Sequence, residues 1–451
     1  MPRMRRTLFT VLLLAACGDD GSNRLADAPP ASDDAAIDAP TAPVTVTIIQ
    51  DGEPRVDVDV YFQQADGTLA AKVATDDNGV ASAVVESGAT VTAVGAFRIL
   101  TGVPSGTSLH TWVGVKPGDA LRLDEGLAND VGVTIRAPRD PGQVRYSLRT
   151  TCSFSEEDMD PPAGSASVPT DDVQLLNCGA TTEALVQTRD ANDANARHLY
   201  VPSVAVPSDN SIDLTGDYEA TPAGTWTWTN VPGNSLYMRT AIVTPTGVIY
   251  AFDAGVDATN GMATYSRPRP AIPNSVLVTV SQLPWSSRTR HEIVDWGSSS
   301  YDLTNATLPD YQTAPIVEPA NRRISWTSTG GQTPDATFLR FRVADANQAY
   351  TWQVIAPYAG AQLVLPDLPA ELDAFDLTAG DDVDIYDIVT IKAPGGYDAF
   401  RAWALDVDLD DPLAFAVSSS GRAQLAHYGL QPLIPPPSER PRRPAFTRTA
   451  R

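Results

Sequence analysis

The stretch Val44-Thr-Val-Thr-Ile-Ile-Gln-Asp-Gly-Glu-Pro-Arg-Val-Asp-Val-Asp-Val-Tyr-Phe62 decides the fold class of this chain. Its first six residues alternate between two faces, which is the period of a half-buried β-strand. A polar turn follows, and a second alternating run then places four apolar side chains on one face: Val56, Val58, Val60 and Phe62. Two strands joined by a turn therefore open the folded part.

The same texture continues along the chain. Short alternating segments such as Thr225-Trp-Thr-Trp-Thr229 and Val276-Leu-Val-Thr-Val280 lie between turn-forming clusters. The 31 glycines and 37 prolines of the 451 residues leave little room for long helices. One short helix is expected, near Asp398 to Leu405. The predicted fold class is all-β, with Ig-like or transthyretin-like β-sandwiches in tandem.

Three turn segments in the first part of the chain carry a family resemblance. Asp51-Gly-Glu-Pro54, Ala65-Asp-Gly67 and Ala74-Thr-Asp-Asp-Asn-Gly-Val-Ala81 resemble those of transthyretin-like, carboxypeptidase regulatory-like sandwiches of bacterial surface proteins. Ser87-Gly-Ala-Thr-Val91 stands where that family usually has a tyrosine. The resemblance implies an Ig-type β-sandwich that acts as a structural spacer.

The N-terminus reads as an export signal. A basic segment, an apolar run from Leu8 to Leu14 and two alanines precede Cys17. Leu14-Ala-Ala-Cys17 resembles the lipobox of bacterial lipoproteins, which implies removal of residues 1–16, lipidation of Cys17 and membrane lipid as a partner. The alternative is an incidental cysteine in an ordinary signal peptide. The predicted location is the outer membrane or the cell surface.

The composition divides the chain into six predicted segments. The stretch after Cys17 is rich in Asp, Ala and Pro, and the whole chain has only three lysines among its 32 basic residues. In these two respects the chain is similar to myxobacterial lipoproteins with such tethers. The Pro/Arg-rich end of the chain is expected to grip an acidic surface or to be a solvated tail without function. The segments are 1–16 signal peptide, 17–42 disordered tether, 43–126 transthyretin-like sandwich, 127–270 sandwich, 271–430 sandwich with a C-terminal extension, and 431–451 disordered tail.

Two segments in the later part of the chain look alike. Ser235–Val243 resembles Thr337–Val343, and each follows a tryptophan-bearing strand, which suggests a duplication.

Cys152 and Cys178 form an even pair in a chain predicted to be exported, so a disulfide between them is expected. The alternative is a pair of free buried thiols.

Charge and motif content narrow the function classes. Lys and Arg number 32 against 55 Asp and Glu, a net charge of −23, which argues against nucleic acid as a partner. The four histidines have no nucleophile-elbow motif beside them, and His291-Glu-Ile-Val-Asp295 has strand-forming neighbours where a zinc motif needs a helix. Acidic clusters at 156–160, 381–387 and 406–411 lack the pattern of an EF-hand. No enzyme activity, metal or cofactor is expected.

Trp226 and Trp228 are the candidate binding residues. Two positions apart on a strand, they face the same way, so they form either a stacking platform for carbohydrate or part of a sandwich core. The predicted function is a structural or binding module on the envelope. A carbohydrate-binding or adhesive protein that contacts envelope glycans or another surface protein is the first alternative, and an extracellular hydrolase with a site built from distant residues is the second.

Overall fold

The computed structural model describes residues 42–50, 53–95, 107–125, 130–153, 157–159, 161–170, 173–176, 178, 180–192, 195–206, 211–283, 288–344, 349–403 and 421–428. These residues form strands almost throughout, which confirms the predicted all-β fold. They belong to one compact unit, Pro40–Arg451. The predicted signal peptide, Cys17, the tail and all of the tether but residue 42 lie outside the described residues. No described helix has the length and apolar character needed to span a membrane.

The first module (44–125) is a β-sandwich. Its strands are β1 (Val44–Gln50), β2 (Glu53–Pro54), β3 (Asp59–Gln63), β4 (Leu69–Ala74), β5 (Val80–Ala83), β6 (Ala89–Gly95), β7 (Thr107–Val115) and β8 (Ala120–Glu125). Strand β1 pairs with β2, β5 and β8, whereas β3, β4, β6 and β7 belong to a second sheet. Side chains of both layers, including Val46, Phe62 and Trp112, share one core.

Two turns of the first module show how local sequence sets its shape. Asp57 has a left-handed backbone (φ 60°), which breaks the predicted alternation and leaves Val56 exposed while Val60 and Phe62 are buried. Gly79 also has a positive φ, and a Cβ there would collide with the carbonyl oxygen of Ile48. Only glycine fits this turn.

The second module (130–220) is another sandwich. Its strands are β9 (Asp130–Pro138), β10 (Arg145–Thr150), β11 (Glu157–Met159), β12 (Ser167–Pro169), β13 (Val173–Leu176), β14 (Thr181–Arg189), β15 (Arg197–Ala205), β16 (Ser211–Asp213) and β17 (Glu219–Ala220). One sheet has the order β11-β10-β14-β15-β17, and β9 pairs with β12, β13 and β16 in the other. Ile135, Leu148 and Val186 lie in the core between the two sheets.

The third module (223–302) packs around the tryptophans of its first strand. Its strands are β18 (Ala223–Thr229), β19 (Ser235–Thr244), β20 (Gly247–Thr259), β21 (Met262–Pro268), β22 (Val276–Gln282), β23 (Thr289–Trp296) and β24 (Ser300–Asp302). Trp226 and Trp228 share a core with Ile293 and Tyr301. This core therefore contains residues from both sides of the predicted boundary at 270/271.

The fourth module (310–428) contains the α-helix. Its elements are β25 (Asp310–Tyr311), β26 (Ile316–Glu318), the 3-10 helix Pro319–Asn321, β27 (Arg323–Ser325), β28 (Ser328–Thr329), β29 (Ala336–Ala344), β30 (Ala349–Pro357), β31 (Gln362–Val364), the 3-10 helix Ala370–Phe375, β32 (Asp382–Lys392), α1 (Gly396–Trp403) and β33 (Ala423–Tyr428). Helix α1 lies close to the position predicted for the single short helix.

One long sheet runs through the first, third and fourth modules. Its order is β24-β18-β21-β20-β19-β22-β23-β33-β32-β29-β30-β7-β6-β3-β4. Within it, β20-β19-β22-β23 mirrors β30-β29-β32-β33, and the two sets meet where β23 pairs antiparallel with β33. The similar segments Ser235–Val243 and Thr337–Val343 lie at matching positions, in β19 and β29. The predicted domain boundaries concern independent folding, which strand pairing does not report, so they stay a prediction.

Candidate functional site: the joints between modules

The joint between the third and fourth modules, here called the seam, is the paired edge of β23 and β33. Arg290 lies opposite His427, and Glu292 lies opposite Leu425. Because side chains alternate along a strand, Arg290, Glu292 and His427 project from the same face. His291-Glu-Ile-Val-Asp295 lies within β23, which confirms the predicted strand and removes the helix that a zinc motif of this kind needs.

Glu292 is the centre of a buried polar network at the seam. Its Oε1 lies 3.0 Å from Nε of Arg290 and accepts a hydrogen bond from Nε2 of Gln282 at 2.7 Å. Its Oε2 lies 3.2 Å from Nε2 of His427. Burial acts to raise the pKa of Glu292, but the charges of Arg290 and His427 and the two hydrogen bonds outweigh it and hold that pKa below its ordinary 4.5.

The polar row continues across the long sheet on the same face. Nε of Arg340 in β29 lies 2.6 Å from Oδ2 of Asp387 in β32, and both side chains are buried. Strand register then places Gln353 of β30 beside Arg340, and buried His110 of β7 beside Gln353. Polar groups therefore cross seven neighbouring strands, from β22 to β7, next to the apolar core of the same face. Every one of these positions is buried or half-buried.

His291 faces the other side of the sheet. Its Nε2 lies 2.6 Å from Oδ1 of Asp310 in β25, and the nearby Tyr311 and Tyr428 rings contact each other edge to face. The two histidines of the seam, His291 and His427, thus point in opposite directions. They belong to separate networks and do not form one site.

Helix α1 forms a second joint, where β30 pairs in parallel with β7 of the first module. The Tyr397 hydroxyl donates toward two carbonyl oxygens, those of Val113 in β7 and of Ile355 in β30, the latter at 3.2 Å. Buried Arg401 donates to the Gly114 carbonyl and to Asp119, each at 2.6 Å. Burial raises the pKa of the Tyr397 hydroxyl, which keeps it a donor. Helix α1 thereby holds the first module against the fourth.

A third joint connects the second and third modules. Glu183 of β14 accepts hydrogen bonds from Thr246 at 2.8 Å, in the β19–β20 turn, and from Tyr200 at 3.0 Å. Burial and the Glu183 carboxylate raise the pKa of Tyr200 to about 12. Gly247 is required here, since a Cβ would lie 2.7 Å from the carbonyl oxygen of Thr151 in the second module.

The structure corrects the interpretation of Trp226 and Trp228 as a carbohydrate platform. Both side chains are 0% exposed, so neither ring face can stack on a sugar. The Trp228 indole donates to Oγ of Ser281 at 2.8 Å, and the Trp226 ring centroid is 5.2 Å from that of Phe252. Packing in the sandwich core, the alternative weighed from the sequence, accounts for both residues.

The structure brings the cysteine pair together. Cys152 and Cys178 are joined by a disulfide, with their Cα atoms 5.5 Å apart, which confirms the predicted bridge.

Among the described residues, no three metal-binding side chains cluster. In the 381–387 acidic segment, Asp381 accepts hydrogen bonds from Thr378, and Asp387 pairs with Arg340. The 406–411 cluster lies outside the described residues, as does part of 156–160.

Sequence reasoning missed the joints. Arg290 and Glu292 lie directly before the apolar residues Ile293 and Val294 of the same strand. Charged side chains this close to an apolar run indicate that charge enters a buried strand. The partner strand β33 gave no such sign, because nothing local indicates that it pairs with β23. Arg401 lay in the predicted helix and Tyr397 directly before it, but their partners in β7 are distant in sequence.

Comparisons with known proteins add little to this geometry. No known protein family and no curated protein matches the sequence. Among solved structures, the Bacillus anthracis TIE protein is 11% identical with a TM-score of 0.14, covering 58% of this chain and 49% of its own. This chain thus spans about half of the TIE protein.

Two further structures are similarly distant. A tetra-tandem repeat in the extending region of a large adhesion protein is 12% identical, with a TM-score of 0.12 and coverage of 79% of this chain and 96% of its own. The chicken CNTN1 FN1-FN3 domains are 11% identical, with a TM-score of 0.14 and coverage of 59% and 91%. Scores this low carry no argument about function.

Proposed function

We propose that this chain is a lipid-anchored surface protein that presents a stiff array of β-sandwich modules as a structural or binding element, and that it is not an enzyme. The observation that carries the proposal is the long sheet. To bend at the seam, the protein would have to break the β23–β33 hydrogen bonds and expose Glu292 and His427. Modules joined in this way hold a fixed spacing, which suits a spacer or a scaffold for binding loops.

The anchor is part of the same proposal. The leader that precedes Cys17 resembles that of a lipoprotein, and the first module resembles transthyretin-like spacers in its turn sequences. A lipidated Cys17 followed by the 17–42 tether places the sandwiches on the outer membrane or the cell surface. The lipid is then the membrane partner.

The burial of the polar groups supports a non-catalytic role. Glu292, His427, Asp387 and Arg401 belong to the buried polar networks, and each is at most 2% exposed. A catalytic acid or base must touch its substrate, and these side chains touch only other parts of the chain. Their geometry serves packing and register.

Anchoring and catalysis are tested separately. Mass spectrometry of the envelope protein is expected to find a diacylglyceryl cysteine at position 17, and Cys17→Ala is expected to lose partition into detergent. A membrane-bound Cys17→Ala product would overturn the anchor.

The purified chain is expected to turn over no peptide, ester or glycan substrate. Turnover would promote the hydrolase alternative.

Stiffness has its own test. Small-angle X-ray scattering of the chain starting after Cys17 is expected to fit one fixed arrangement of the described modules. Glu292→Ala, which removes the centre of the seam, is expected to broaden the distance distribution. A wild-type profile that requires freely moving modules would contradict the proposed stiff array.

A further inference from the structure

Two arginines rest on aromatic rings at one edge of the third module. Cζ of Arg267 lies 4.7 Å from the centroid of the Phe252 ring, and Cζ of Arg269 lies 5.7 Å from that of Trp226. Arg267 is in β21, and Arg269 is the first residue after that strand. Both side chains are partly exposed. Two positions apart in extended chain, they are about 7 Å apart along the backbone.

The rings beneath these arginines form one packed cluster. The Trp226 ring centroid is 5.2 Å from Phe252 and 6.3 Å from Tyr265, and Phe252 and Tyr265 are stacked at 6.0 Å. The flat face of a guanidinium stacks on the face of such a ring, and the stacking holds the side chain in place. The N–H groups at the edge of the guanidinium remain available for a carboxylate. The cluster therefore orients both cations in advance.

Neither guanidinium is neutralised within the described part of the chain. No described carboxylate lies within 4.0 Å of Arg267 or Arg269, whereas the buried or half-buried Arg197, Arg340 and Arg401 each pair with an aspartate. The chain as a whole has a large excess of acids, 55 against 32 bases. Arg267 and Arg269 are therefore two neighbouring cations that form no ion pair with a described carboxylate.

A glycine makes room for this arrangement. Gly224 lies opposite Arg267 in the β18–β21 pair. A Cβ at position 224 would lie 2.9 Å from Cβ of Arg269 and 2.9 Å from the Trp226 ring. Any larger residue would therefore push Arg269 away from Trp226.

We infer that this arginine edge, defined by Arg267 and Arg269, binds the carboxylate groups of an acidic polysaccharide. Planar guanidinium forks match carboxylates in a bidentate manner, and two forks along one strand suit a polymer that repeats its charge. A slender single chain can reach both forks without bringing a broad anionic surface against the acidic protein, as a folded acidic partner or a duplex would. Because the rings are covered, recognition rests on charge and not on sugar stacking.

This inference rests on the proposed binding role and not on the lipid anchor. The test measures binding of the purified chain to immobilised polygalacturonate, with dextran as the neutral polymer. Binding is expected for polygalacturonate alone, and it is expected to weaken as salt rises. The double variant Arg267→Gln/Arg269→Gln is expected to lose roughly tenfold or more in affinity, the effect of one to two charge-assisted contacts.

A matched control keeps the charge change equal. Arg136→Gln/Arg342→Gln removes two partly exposed arginines that pair with Asp213 and Asp384, and it is expected to bind like the wild type. Circular dichroism confirms that each variant folds. A second variant, Gly224→Ala, displaces Arg269 without changing charge and is expected to weaken binding as well.

Four outcomes would overturn the inference. The first three are no binding to polygalacturonate, equal binding to dextran, and equal loss in both double variants. The fourth is binding of duplex DNA that depends on the same two arginines, which would make a nucleic acid the ligand. A failure here leaves the anchor and the stiff array untouched, because those are measured by mass spectrometry and scattering. The two proposals therefore fail separately.

Discussion

Glu292 and His427 meet across the seam, with 3.2 Å between Oε2 and Nε2, although 135 residues separate them in the chain. Arg290 lies opposite His427 in the same register and completes the network. A one-residue slip of β33 would turn His427 to the other face and leave the Glu292 carboxylate buried without it. The pair therefore specifies one alignment of two sheet edges that carry no covalent link nearby.

Removing the charge at the centre of the seam is expected to change both stability and its pH dependence. Glu292→Gln removes the buried carboxylate charge beside Arg290, at a cost of roughly 3 to 5 kcal/mol at neutral pH. The pKa of Glu292 is lowered in the folded state, so its contribution is present above about pH 4.5 and is lost as the pH falls through the folded pKa. Denaturant unfolding at several pH values measures both effects.

The variant is expected to show a flatter stability profile than the wild type below pH 4.5. Glu371→Gln, at an exposed residue of a 3-10 helix, is the control and is expected to leave stability and profile unchanged. Parallel acid profiles for the wild type and Glu292→Gln would show that this carboxylate does not control the acid response.

The joint between the second and third modules is expected to depend on Gly247. Gly247→Ala adds a Cβ 2.7 Å from the Thr151 carbonyl oxygen at a backbone φ of +143°, and it is expected to destabilise the protein by roughly 1 to 3 kcal/mol. Gly380→Ala is the matched control, because a Cβ there meets nothing within 4 Å. Thermal unfolding compares the two, and equal melting temperatures would refute the close approach.

The disulfide is expected to stabilise the second module. Cys152 and Cys178 close a loop with a sequence separation of 26, for which the chain-entropy estimate is about 3.5 kcal/mol. Cys152→Ser/Cys178→Ser is therefore expected to unfold at lower denaturant, and a reducing agent should lower only the wild-type midpoint. Alkylation of either cysteine in unfolded, unreduced protein would contradict the bridge.

The α1 joint is expected to weaken when Tyr397 loses its hydroxyl. Tyr397→Phe leaves the Val113 and Ile355 carbonyls without this donor, and about 1 kcal/mol of stability is expected to be lost. Tyr386→Phe serves as control, because the structure gives the Tyr386 hydroxyl no hydrogen bond to another described residue. Hydrogen exchange at the β7–β30 pair is expected to quicken in Tyr397→Phe only. Unchanged protection there would show that the Tyr397 hydroxyl does not stabilise the α1 joint.

Local sequence determined the elements of this protein. Alternation of side chains predicts strands such as β1 because the two faces of a strand meet different environments. The Asn78-Gly79 pair predicts a turn because glycine tolerates the positive φ that the turn requires. The cysteine pair and the short helix near 398 are likewise readable, since each depends on residue type and a short stretch of chain.

Tertiary structure alone decided which elements meet. Alternation shows that Trp226 and Trp228 share a face, but only the packing of side chains from other strands, such as Met238 of β19 and Ile293 of β23, decides that both are buried. The pairing of β23 with β33 depends on two free sheet edges coming together from distant parts of the chain. Such pairing is governed by nonlocal packing and edge geometry, which a strand's own periodicity does not encode. The continuous sheet that joins the first, third and fourth modules is therefore a property of the assembled fold.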